Sequence, residues 1–117
     1  MATKHEVEQF LKEFKIKMGI FQIVFEDERG KNAQTFMELE LSVVKRKEII
    51  TNLTLEDYSD GPIEEQMRGI QPLWVFGKTV KEKEIYIKIS MGHKNSSTIC
   101  ISFHVSDYPM SYPFKKL

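Results

Sequence analysis

Two stretches of this chain alternate strictly between apolar and polar residues. One is Glu84-Ile85-Tyr86-Ile87-Lys88-Ile89-Ser90, and the other is Thr98-Ile99-Cys100-Ile101-Ser102-Phe103-His104-Val105. Side chains along a strand point to opposite faces with a period of two. The pattern therefore predicts two strands in which Ile85, Ile87 and Ile89 share a face, as do Ile99, Ile101 and Phe103. The opposite face carries Tyr86 and Lys88 from one strand and Ser102 and His104 from the other. Leu73 to Val80 reads as a third strand. The short link Lys81-Glu82-Lys83 joins it to Glu84–Ser90 as a hairpin, and the polar turn 91–97 completes a meander.

Ahead of the meander the period changes to that of a helix. Thr3 with Glu6 forms a capping-box pattern, and Val7, Phe10, Leu11 and Phe14 follow at helical spacing. This predicts a helix over Lys4 to Met18, closed by Gly19. Ile20 to Phe25 is β-branched and aromatic and reads as a strand. The charged stretch Glu26 to Asn32 reads as a solvated turn, because it lacks the ligand spacing of a calcium loop. Asn32 to Leu39 predicts a short helix with Ala33, Phe36 and Met37 on one face. Ser42 caps a longer helix carrying Val43, Val44, Ile49, Ile50 and Leu53, with Lys45, Arg46 and Lys47 as a solvated basic face. Thr54 with Asp57 suggests a small capping turn, Asp60-Gly61-Pro62 a break, and Ile63 to Arg68 a helical turn. The tail from Asp107 to Leu117 holds Tyr108-Pro109 and Tyr112-Pro113, so it is neither helix nor central strand. The order of elements predicts an α+β fold: a small antiparallel sheet with two or three helices packed on one face.

At 117 residues and 41% hydrophobic content, the chain fits a single domain over 1–117. No apolar run is long enough to span a bilayer, and the N-terminus lacks the apolar region of a secretory signal. The single Cys100 can form neither an internal disulfide nor a cysteine-rich zinc site. A reducing cytoplasmic location is therefore expected. The net charge is +0, yet residues 78–117 hold seven lysines against Glu82, Glu84 and Asp107. That basic half suits a polyanion such as RNA.

The polar face of the meander gathers the candidate chemistry: the phenol of Tyr86, the ammonium of Lys88, the hydroxyl of Ser102 and the imidazole of His104. Imidazole has a reference pKa of about 6.5 and is suited to proton transfer. Lys88 and Lys78 can offset phosphate charge. Trp74 and Phe76 offer rings either for base stacking or for the core. His93 reads as a loop residue, Cys100 as a strand residue with no base partner, and the three histidines have no metal-ligand spacing. No metal or other cofactor is expected.

Three stretches resemble the MqsR family of bacterial toxins, ribonucleases with a RelE-like fold. The segment from Lys31-Asn32-Ala33 to Leu53-Thr54-Leu55-Glu56-Asp57-Tyr58 is similar to the family's two-helix segment ending in an Asp-aromatic turn. Glu84 to Ile89 is similar to its tyrosine-bearing strand, and Ile99 to His104 to its closing strand. The family tyrosine matches Tyr86, and its C-terminal strand lysine falls on His104. A family lysine falls near Asp60, with the charge reversed, and a family glutamine near Val75. The tail after Val105 extends past the family's usual end. The resemblance implies a type II toxin: a metal-independent mRNA endoribonuclease neutralised by a cognate antitoxin protein. Tyr86, Lys88 and His104 would be catalytic, and Lys78, Trp74 and Ser102 would bind RNA. The other function class left open is a non-catalytic RNA- or protein-binding module of the same fold.

Overall fold

The computed structural model describes residues 1–28 and 30–116. Arg29 in the charged turn and Leu117 at the end of the tail lie outside the described residues. Helix α1 spans Lys4–Phe21, β1 Ile23–Phe25, α2 Gly30–Glu38 and α3 Val43–Thr51. A 3-10 turn at Leu55–Asp57 leads into β2, Tyr58–Ile63. Then come β3 (Leu73–Val80), β4 (Lys83–Ser90) and β5 (Thr98–Val105). The fold is α+β, as expected. The sheet is not purely antiparallel: its order is β1-β5-β4-β3-β2, and β1 runs parallel to β5.

Local chemistry accounts for the element boundaries. The capping box at Thr3 forms, with Thr3 N–H donating to Glu6 Oε1 and Glu6 N–H to Thr3 Oγ1. Helix α1 passes through Gly19 and stops at Gln22, whose φ is +70°. The β3–β4 hairpin turns through Lys81 and Glu82, both at positive φ, the sign that a two-residue type I′ turn needs. The expected closure at Gly19 and strand start at Ile20 are overturned, since β1 begins only at Ile23, and two further expectations fail. The Asp60-Gly61-Pro62 break lies inside an edge strand, where β2 is irregularly registered on β3. Ile63 to Arg68 forms no helical turn.

One face of the sheet carries the core. Phe10 and Phe14 of α1, Ile50 of α3, and Leu41 and Leu53 pack on Phe76, Ile85, Ile87, Ile89, Cys100 and Phe103. The stripe on α1 is therefore buried, as its spacing implies. The apolar face expected for α2 is not, and that expected for α3 is buried only in part, through Ile50 and the following Leu53. Phe36 is 37% exposed and Met37 74%, while Asn32 and Thr35 are buried instead. On α3, Val43 and Val44 point outward and Arg46 is only 1% exposed. The basic run is thus not wholly a solvated face. The Arg46 guanidinium lies over the rings of Phe25 and Phe36 and pairs with Asp27 at 2.5 Å.

Asn32 and Thr35 are buried because the sheet has an edge to close. Strand β1 pairs with β5 only as far as Cys100. Beyond it, Asn32 Nδ2 donates to Ile101 O at 2.8 Å, its Oδ1 accepts from Phe103 N at 3.0 Å, and Thr35 Oγ1 accepts from Val105 N at 2.9 Å. Helix α2 thereby supplies side-chain groups where a strand would supply backbone ones, and an unpaired edge is covered. Asn32→Ala strands two buried backbone groups, so it is expected to cost about 1–3 kcal/mol. Asn32→Asp retains the acceptor and loses the donor, so it should not rescue. Denaturant titration checks both; an unchanged midpoint would contradict the clamp.

Candidate functional site

The second face of the sheet carries the polar groups. Strand register places Asp60 opposite Val75, Val75 opposite Lys88, and Lys88 opposite Ser102. The neighbouring row is Gly77, Tyr86 and His104. The expected set of Tyr86, Lys88, Ser102 and His104 is thus brought together. The companion expectation fails in part. A bulge between the Lys88 and Ile89 pairings shifts the phase of β5. Cys100 turns into the core beside Ile89, while Ile99 and Ile101 join Leu73 and Ile70 in a small apolar cluster apart from it. Only Phe103 keeps its place among the core residues.

Two segments cross this face and bound the site. The connection from β2 to β3 passes over one end of the strands. There Ile70 covers Leu73 and Ile101, Gln71 is bonded to Gly92 and Ser90, and Arg68 pairs with Glu26 beyond β1. The tail crosses the other end. Glu84 accepts from Met110 N at 3.0 Å and from the Tyr112 hydroxyl at 2.5 Å. Gly77 leaves room for that phenol, since any Cβ there would collide with it. Phe114 then stacks on Tyr58 at 5.5 Å.

Between these walls the rings of Tyr86 and His104 stack, with centroids 5.3 Å apart and 13° between planes. Lys88 Nζ lies 5.8 Å from the Tyr86 ring. Burial, reinforced by Asp60 and Tyr108, raises the Tyr86 phenol above its ordinary value. It therefore keeps its proton at neutral pH and acts as a donor rather than a base. His104 Nδ1 lies 3.0 Å from Val105 O. A carbonyl only accepts, so Nδ1 carries the hydrogen, and in the neutral ring Nε2 presents its lone pair. His104 faces a groove of about 260 Å³ shared with Lys31, Lys83 and Asp107. Tyr86 faces a second groove, of about 300 Å³, with Asp60, Val75 and Tyr108.

Trp74 and Lys78 do not join this face. In β3 they alternate with Val75 and Gly77, so they share the helix-covered side with Phe76. Trp74 stacks on Phe10 at 4.4 Å, and Lys78 pairs with Asp57 at 3.2 Å. Ser102 shares the row of Lys88 but is only 4% exposed. Burial drives the Cys100 thiol far up, and it donates to Ser102 O at 3.3 Å, so it is no nucleophile. Among the described residues no cluster of three or more His, Cys, Asp or Glu is arranged to hold a metal ion, and no helix is long and apolar enough to cross a membrane. Sequence reasoning missed the contribution of Asp60 and Tyr108. The alternation that would have revealed β2 is broken by Gly61-Pro62, and a proline-rich tail gives no facing signal.

Compared with family models, curated proteins and solved structures, the chain finds no match.

Proposed function

We propose that this chain is the toxin of a type II toxin–antitoxin pair, a metal-independent endoribonuclease acting on mRNA and neutralised by a protein antitoxin. One observation carries this reading. The four positions on or near which the active-site residues of the MqsR family fall are far apart in sequence: Tyr86, which keeps the family residue, His104, which replaces a lysine, and Asp60 and Val75, where the chain departs from the family. They fall in two adjacent rows of one sheet face.

The chemistry follows from the groups present. His104 Nε2 takes the proton of a ribose 2′-hydroxyl, and that oxygen attacks the adjacent phosphorus. The P–O5′ bond breaks, and the leaving oxygen takes a proton from the Tyr86 phenol. Lys88 offsets the charge that builds on the phosphorane. The products are a 2′,3′-cyclic phosphate and a free 5′-hydroxyl. No step uses Asp60 or Val75, where the family has a lysine and a glutamine. Positioning and charge stabilisation from those residues are therefore absent, and a slower enzyme is expected.

The test is incubation of the purified protein with end-labelled RNA in excess chelator. Fragments ending in a cyclic phosphate are the expected result. Induction in a bacterial host should also arrest growth, and co-expression of a neutralising protein should relieve the arrest. Intact RNA after incubation with well-folded protein would transfer the reading to a non-catalytic binding module.

A further inference from the structure

We infer that the groove beside Tyr86, between the tail and β2, holds one unstacked base of single-stranded RNA, with Tyr108 as its stacking platform and Asp60 reading its edge. This rests on the reading of the site as an RNA-cleaving one, and it adds a subsite formed by the tail, beyond the region of family resemblance.

The groove measures about 300 Å³ and abuts Tyr86, so a base seated in it lies next to the phosphate under attack. One wall is aromatic. Tyr108 is 74% exposed although it belongs to an anchored segment: Ser106 Oγ donates to Tyr108 O at 2.6 Å, and Glu84 holds Met110 N. A large ring held out in water on a fixed backbone has little packing purpose of its own. Base–aromatic stacking is the common way for proteins to grip unpaired nucleotides. The other wall is polar. Asp60 Oδ1 accepts from Gly61 N at 2.8 Å, which fixes the carboxylate, and the residue is exposed along the groove. An ionised carboxylate only accepts hydrogen bonds. It therefore favours base edges that carry an exocyclic amino group over uracil, which presents carbonyls on either side of its one N–H. Asp60 sits on the edge strand, two strands from Lys88 in the same row and one row away from Tyr86 and His104.

The experiment separates binding from cleavage. A short fluorescent single-stranded RNA, methylated at every 2′-oxygen, cannot supply the nucleophile and reports affinity by anisotropy. Tyr108→Ala is expected to weaken its binding by about ten-fold, whereas Tyr108→Phe, which keeps the ring, stays near wild type. Asp60→Asn is expected to reduce the preference for adenine- or cytosine-containing probes over the uracil probe by several-fold. All three variants should melt like the wild type, because the altered groups are exposed. If Tyr108→Ala binds the methylated probe as the wild type does, the subsite is wrong, even where unmethylated RNA is still cleaved. If binding depends on Tyr108 while unmethylated RNA stays intact, the subsite stands and the catalytic reading falls. Absence of any RNA binding by the wild type overturns both.

Discussion

His104→Ala is expected to slow single-turnover RNA cleavage by about 10²-fold or more, the usual contribution of a positioned acid or base. The melting midpoint should stay nearly unchanged. His104 is half-buried at the end of β5, outside the packed core, and its ring stacks on Tyr86. A residue that matters to packing would lower stability, and one that moves a proton lowers rate. The companion variant His104→Lys restores the residue type that the resemblance places here. It should retain phosphate binding but change the pH profile, because a lysine ammonium titrates near 10.4 rather than close to neutrality. Rates measured from about pH 5 to pH 9 span the range in which imidazole catalysis varies. Equal cleavage by the wild type and both variants would remove His104 from the mechanism. So would a large drop in the melting midpoint of His104→Ala, since it would assign the ring to structure.

The second large effect is on folding. Ile87→Asp is expected to abolish the native state. Ile87 is fully buried at the centre of β4, between Phe76 of β3 and Phe103 of β5, under the helices. An unpaired carboxylate there costs at least several kcal/mol of desolvation, against a total stability of about 5–15 kcal/mol for a domain of this size. Ile87→Val, which removes one methylene, should cost only about 0.5–1.5 kcal/mol and melt cooperatively. The contrast guards against a trivial loss of expression. An Ile87→Asp variant with a cooperative, wild-type-like transition in circular dichroism would show that this face does not carry the core.

Much of the site was legible because strand periodicity is local. Tyr86 and Lys88 must share a face opposite Ile85, Ile87 and Ile89 once β4 is extended, and no partner is needed to know it. The capping box at Thr3 and the buried stripe of α1 are local in the same sense. Three things were not local. The bulge in β5 depends on how two strands pair, and it alone sent Ile99 and Ile101 away from the core and Cys100 into it. Arg46 reads as a surface cation in sequence. Its burial needs Phe25, Phe36 and Asp27 to arrive from β1, α2 and the turn between them. Trp74 and Lys78 belong to the same hairpin as Tyr86, but the register of that hairpin puts them on the far side of the sheet. The sequence by itself thus determined which residues alternate and where helices begin. The tertiary structure decided which face each alternation presents and what crosses it, because register, edge closure and the path of the tail are set by contacts between residues distant along the chain.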